Sequence, residues 1–271
     1  MFSEVKKNSA TAVWLRSLYT VYKFGHEEKP RNMKTYEVCA HVLRFDMNYP
    51  ICHHEFRKLN YSFMAAEAEW ITNGDRRVDS ITEYNKNIAQ FSDDGLIFNG
   101  YYGEPFNNQL SYAVQALVND INTRQSIIQI WHPNPVDSKD IKCTLNMQFL
   151  VRNGLLNVIT TMRSSDQIWG LSYDMFNFTI MTLRFASLYY KRTGKRLELG
   201  HMTMMLGSAH IYERHFTLVN EIIENDKLFK PTAPVPDRAV VDWPYVVRSL
   251  VACRDKDEQA IIDDKLWRIR P

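Results

Sequence analysis

The segment Tyr173–Lys191 (YDMFNFTIMTLRFASLYYK) reads as a long helix that is apolar on nearly every side. A helix with so few polar positions has no face to give to water, so other elements must wrap it. That demands a chain long enough to bury a central helix. The 271 residues here suffice, as one large or two small domains at roughly 150 residues per domain. Gly194 follows as a natural helix stop. No run of about 18 uninterrupted apolar residues occurs, so no membrane span is expected.

Around this helix the pattern is mixed. Residues 10–25 carry an apolar stripe at helical spacing, and Phe63–Thr72 reads as a short helix stopped by Asn73-Gly74. Residues 26–34 form a polar break, and residues 92–107 read as a loop before a helix over Gln109–Ile121. Strands are expected at Val38–Phe45, Ser126–Trp131, Thr144–Val151, Leu156–Met162 and Met202–Met205. The third and fourth of these are joined by Arg152-Asn-Gly154, which suits a tight hairpin. His132-Pro-Asn-Pro135 ends a strand, Gly207–Asn220 should contain a helix, and the tail from Lys230 reads as extended. There is no repeat, no linker and no regular βαβ alternation, which favours a single α+β domain over a doubly wound sheet.

Composition excludes several classes. Aromatics make up 13% of the chain, too many for a disordered segment. A net charge of +2 argues against a general nucleic-acid coat. The four cysteines (Cys39, Cys52, Cys143, Cys253) contain no CxxC pair, so a zinc ribbon is excluded and reduced thiols in a cytosolic protein are expected. Met1–Asn8 is charged with no apolar stretch behind it, so no secretory leader is expected. Cys52-His53-His54 looks metal-like, but adjacent residues on a strand point to opposite faces, and no metal is expected. Walker, GxGxxG and GxSxG motifs are absent, and Met202-Thr-Met-Met205 reads as core filling.

What remains is a density of polar residues from Cys143 to Phe216. Arg163-Ser164-Ser165-Asp166 follows a buried strand, Asp174 opens the apolar helix, and His210, Tyr212, Arg214 and His215 crowd what reads as a helix start. Together they could line one pocket with a thiol nucleophile, an anion-binding arginine and a carboxylate.

This segment resembles the thymidylate synthase and deoxycytidylate hydroxymethylase superfamily, in its hydroxymethylase branch. The residues carrying the resemblance are Cys143-Thr-Leu-Asn-Met-Gln148-Phe149, Met162-Arg-Ser-Ser-Asp166, Gly170-Leu-Ser-Tyr-Asp174 and Gly207-Ser-Ala-His210-Ile-Tyr212-Glu-Arg-His215-Phe216. Upstream matches are His41-Val-Leu-Arg44-Phe45, Glu67-Ala-Glu-Trp70 with Gly74-Asp75, Tyr102-Gly103 and Thr123-Arg124. The matched blocks run from Val38 to Phe216, about two thirds of the chain.

The resemblance implies one domain over 1–271, with a helical extension at 1–35 and a divergent tail at 217–271. It implies a mixed twisted sheet flanked by helices that dimerises through its face. Cys143 would add to C6 of a pyrimidine nucleoside monophosphate and make C5 nucleophilic, with Arg163 lowering the thiol pKa. Arg44, Arg163 and Ser164 would hold the 5′-phosphate, and Arg124 would reach the partner's site. His210 and Tyr212 would bind the sugar 3′-hydroxyl. Glu67 and Tyr102 would move protons, and Asp166 would face the pterin of 5,10-methylenetetrahydrofolate, the one-carbon donor. Water capture of the transferred carbon would give a hydroxymethyl group, and hydride transfer a methyl group. Phages use such enzymes on DNA precursors, so the expected location is cytoplasm, with no membrane or direct nucleic-acid partner.

Two positions separate this chain from ordinary thymidylate synthases: Thr144 stands where they carry His, and Asp174 where they carry Asn. An amide pairs with the N3–H and O4 of uracil, whereas a carboxylate accepts from the N4 amino group of cytosine. The expected reaction is therefore dCMP to 5-hydroxymethyl-dCMP. Rival readings are a dUMP or CMP hydroxymethylase, a C5 methylase, and an inactive nucleotide-binding relative. Gln125 replaces a usual phosphate arginine and Ile88 a usual folate-stacking Trp.

Overall fold

The computed structural model describes residues 7–133, 136–230 and 232–271. The leader expectation at Met1–Lys6, the turn at Asn134-Pro135 and Pro231 in the tail lie outside them. Strands β1 (His26–Glu28), β2 (Thr35–Asp46), β3 (Ile127–Gln129), β4 (Thr144–Arg152), β5 (Leu155–Asp166) and β6 (Glu198–Tyr212) form one sheet in the order β1-β2-β6-β5-β4-β3. Every neighbouring pair is antiparallel except β5 with β6, which is parallel. The β4–β5 turn is the expected one. Asn153 and Gly154 both take positive φ, 53° and 76°, as a two-residue hairpin of this twist requires.

One face of the sheet is covered and the other is bare. Burial alternates along β4 and along most of β5, so Met147, Phe149, Leu156 and Val158 point into the core. Helix α5 (Leu171–Thr193) runs through that core and ends at Gly194, which is left-handed at φ 68°. The rings of Phe149 and Phe185 stack 4.0 Å apart, joining sheet to helix. Helix α1 (Ala10–Phe24) lies on β2, so residues 10–24 are built into the core rather than appended to it. Helices α2 (Tyr61–Asn73) and α4 (Gly103–Asn119) pack on α5 and on each other, while α3 (Asp79–Thr82) belongs to a small satellite core around Phe63 and Phe98.

Three expectations need correction. Strand β6 is fifteen residues long and carries His210 and Tyr212, which therefore sit on a strand; the helix α6 (Phe216–Glu224) begins after them. Helix α4 starts at Gly103, inside the segment read as a loop. After an extended stretch, the tail folds into α7 (Trp243–Arg254) and α8 (Glu258–Asp263). Asp242 caps the first of these and Asp257 the second, and Tyr245, Val246, Ser249, Leu250 and Cys253 form the face that α7 buries. Cys52-His53-His54 lies in a loop, where His53 Nδ1 accepts from the Lys230 N–H at 2.8 Å and His54 Nε2 meets the Asn225 carbonyl at 3.0 Å. No helix among the described residues is long and apolar enough to cross a membrane.

Candidate active site

Cys143 stands at the mouth of the β4–β5 hairpin, immediately before β4, and is half-buried. Its carbonyl accepts the Arg163 N–H at 2.8 Å, which locks the residue to the end of β5. The Ser164 hydroxyl lies 3.7 Å from the sulfur and accepts from Arg163 Nη1 at 3.0 Å, so the guanidinium is one hydroxyl away from the thiol. Arg163 also donates from Nε to the Lys142 carbonyl and from Nη2 to the Ile141 carbonyl, both at 2.9 Å. It thus staples the loop that carries Cys143 and keeps only part of its fork free for an anion. Arg163 does pull the thiol pKa down, but burial outweighs it and the net shift is upward. The expected pull of Arg163 on the thiol is thus present, but in the free protein it does not offset burial.

Two more groups, Asp174 and Tyr102, face the thiol, and a third, Glu67, lies next to Asp174. Asp174, in the first turn of α5, carries a half-buried carboxyl pushed up to about 7 by burial, with Asp166 adding to the rise. No hydrogen bond to that carboxyl is found among the described residues. Glu67, on α2, is also raised to about 7 by burial and by Asp174, although Asn177 Nδ2 donates to it at 2.7 Å. Tyr102 precedes α4, and its hydroxyl lies beside the Cys143 backbone and faces Asp174; burial raises its pKa well above the ordinary value. A thiol, two carboxyls with pKa values near 7 and a phenol are thus neighbours linked through Asp174, a set suited to nucleophilic addition with proton transfer.

Toward β6, the β5–β6 register places Ser164 beside Ser208 and Asp166 beside His210. Asp166 spends one oxygen on the Ile168 and Trp169 N–H groups, at 2.8 and 3.0 Å, which shapes the turn into α5. Trp169 is 46% exposed there, with the Arg214 guanidinium 4.4 Å from its ring. The carboxylate's second oxygen and this open ring fit a flat heterocycle that presents N–H donors, as a pterin does.

Two expected phosphate ligands do not join the group within one chain. Arg44 pairs with Thr203, which pairs with Ile159. That is five residues along β5 from Ser164, roughly 16 Å at a strand's rise, and Arg44 sits on the bare face of the sheet. Arg124 is exposed at the far edge, its carbonyl accepting from Gln148 Nε2, five residues along β4 from Cys143. Sequence reasoning missed Arg31, whose guanidinium meets the Tyr212 hydroxyl at 3.4 Å, and Asn177. Asn177 could have been found, being a polar residue three positions after Asp174 on an otherwise apolar helix.

The thymidylate synthase family model matches residues 12–244. The chain belongs to the thymidylate synthase family. Among curated proteins it is 32% identical over 225 residues to the deoxyuridylate hydroxymethyltransferase of Bacillus phage SP01, an alignment covering 74% of this chain and 57% of that protein. It is 28% identical over 198 residues to the enzyme of the same name from Delftia phage PhiW-14, covering 66% of this chain and 54% of the relative. It is 20% identical over 286 residues to the thymidylate synthase of Staphylococcus haemolyticus (strain JCSC1435), covering 82% and 87%. The chain spans little more than half the length of the two phage relatives. The thymidylate synthase match takes in β2 to α6 and both pocket carboxyls, so the constellation around Cys143 lies wholly inside it.

Proposed function

We propose that this chain hydroxymethylates C5 of a pyrimidine deoxynucleoside monophosphate, with dCMP the substrate that its base-facing residue fits. The observation that carries the reading is the thiol of Cys143 beside Asp174 and Tyr102, with Glu67 next to Asp174. Methylenetetrahydrofolate, held by Asp166 and Trp169, supplies the one-carbon unit as an electrophile. Cys143 Sγ bonds to C6, and the displaced π electrons move toward C4 and its substituents, leaving C5 electron-rich. A neutral Asp174 donates its O–H to cytosine N3, where that charge gathers, and accepts from the N4 amino group. Tyr102, a buried phenol that keeps its own proton, assists removal of the C5 proton by hydrogen-bonding the water that takes it up, and Glu67 orients water for capture of the transferred carbon. Arg163, Ser164 and Arg31 face the phosphate, and His210 with Tyr212 the sugar. The active unit is a homodimer through the bare sheet face, with Arg124 of each protomer entering the other's site.

A second reading, dUMP hydroxymethylation, is favoured by the names of the two phage relatives. A neutral carboxyl can also donate to O4 and accept from N3–H of uracil. A substrate panel separates the two. Enzyme and methylenetetrahydrofolate are incubated with dCMP, CMP or dUMP, and products are read by mass spectrometry. The expected product is 5-hydroxymethyl-dCMP, while methyl addition to dUMP alone defeats both base and outcome. Asp174→Asn should move preference toward uracil by about tenfold or more, since an amide pairs with the O4 and N3–H of uracil but has no acidic proton to offer cytosine N3 as charge gathers there. A 5-fluoropyrimidine nucleotide should trap Cys143 covalently, which an inactive nucleotide-binding relative cannot show.

A further inference from the structure

His210 stands in a row across three strands, with Glu37 of β2 directly opposite on one side and Asp166 of β5 on the other. Ser208 is two residues back on β6, and its hydroxyl makes a short hydrogen bond to the Glu37 carboxylate. The same Ser208 oxygen lies 3.4 Å from His210 Nδ1. A serine hydroxyl has one proton. An ionised carboxylate can only accept, so that proton is committed to Glu37. Toward the ring, Ser208 can then only accept, and Nδ1 must carry the hydrogen. The Ser208 backbone accepts from the ring as well. Burial lowers the imidazole pKa against the opposing pull of Asp166 and Glu37, with Arg163 on the lowering side, so the ring is neutral near pH 7 and its other nitrogen keeps a lone pair.

We propose that Glu37 and Ser208 are positioning residues that hold His210 in its Nδ1–H tautomer, so that Nε2 is presented as an acceptor for the proton of the nucleotide's 3′-hydroxyl. This rests on the functional reading above for the identity of the bound sugar, but the tautomer does not. A charged acceptor behind a relay hydroxyl fixes a histidine more firmly than a backbone carbonyl alone. The acid three strands away from the thiol thereby acts on sugar recognition and not on the reacting carbon.

The test has two independent readouts. In protein labelled with 15N-histidine, the His210 ring should show Nδ1 protonated and Nε2 bare at pH 7.5. In kinetics, the wild type should lose roughly tenfold in kcat/KM when the deoxynucleotide is replaced by its 2′,3′-dideoxy counterpart. Ser208→Ala and Glu37→Gln should both narrow that ratio toward one while leaving kcat on the 3′-hydroxyl substrate within about twofold; the Gln amide can donate to Ser208 and free its proton for the ring. Ser208→Thr, which keeps the hydroxyl, should restore the ratio. An Nε2–H tautomer in the wild type overturns the proposal whatever the substrate proves to be. An Nδ1–H tautomer with an unchanged ratio in Ser208→Ala overturns the positioning role. No discrimination by the wild type, with the Nδ1–H tautomer present, removes the sugar contact, and if no nucleotide of the panel is turned over the failure belongs to the functional reading instead.

Discussion

Glu67 and Asp174 reach about 7 because burial removes water from two neighbouring carboxyls that no cation among the described residues compensates. Their raised pKa values also bear on stability. Below the unfolded-state values near 4 both folded and unfolded chains hold these protons, and the folded state keeps its full contribution. Between about pH 4 and 7 the unfolded chain ionises while the folded one does not, so stability falls; above about 7 the contribution is gone. The loss is at most roughly 4 kcal/mol per carboxyl, shared because the two titrate as a pair. Glu67→Gln, which still accepts from Asn177, should therefore be more stable than wild type at pH 8, by about 1–3 kcal/mol, and no more stable at pH 5. Urea midpoints at the two pH values check this, and a gain independent of pH removes the argument. The carboxyls themselves were legible in the sequence through the motifs around them. Arg31 was not, because it reaches Tyr212 only through a turn with two consecutive positive-φ residues, Arg31 and Asn32, that no residue pattern announced.

Gly103 shows how the elements set the pocket. A Cβ there would stand 2.2 Å from the Ile71 carbonyl oxygen and 2.7 Å from Gly74 Cα, so the start of α4 and the end of α2 touch backbone to backbone. That contact fixes Tyr102, the residue before α4, against Cys143. Gly103→Ala must push the helices apart, which should cost about 1–3 kcal/mol. It should also lower kcat by tenfold or more, since an ångström of misplacement is costly in catalysis. Wild-type stability in this variant, by urea unfolding, would contradict the close approach. The same device hid β6 from sequence reasoning. Gly200 and Gly207 weaken its strand pattern, yet a Cβ at Gly207 would lie 2.7 Å from the Arg163 carbonyl oxygen, where β6 must approach β5. The central helix, its Gly194 stop and the Asn153-Gly154 turn were readable because each depends on local chemistry alone. The long strand and the buried tail helix depend on neighbours far along the chain.

The bare sheet face organises the whole molecule. Val42 on β2 is 56% exposed, Met205 opposite it on β6 44%, and Ile127 on β3 41%. An antiparallel face can stand in water, but apolar side chains collected on it favour burial against another surface. Arg44 and Arg124 both stand roughly 16 Å of strand from their own chain's thiol, so neither reaches that site within one chain. A second copy docked on this face by a two-fold axis would bring such residues toward a site they cannot reach alone. Met205→Glu should then convert a dimer into monomers in sedimentation velocity and lower activity with it. A stricter check mixes two inactive variants, Cys143→Ser and Arg124→Ala. If each site takes its thiol from one protomer and Arg124 from the other, half of the reassorted dimers hold one intact site, and activity should recover to about a quarter of wild type. Absence of recovery from a mixture shown to exchange subunits would place Arg124 outside the partner's site and leave the sheet face as an interface without a shared active centre.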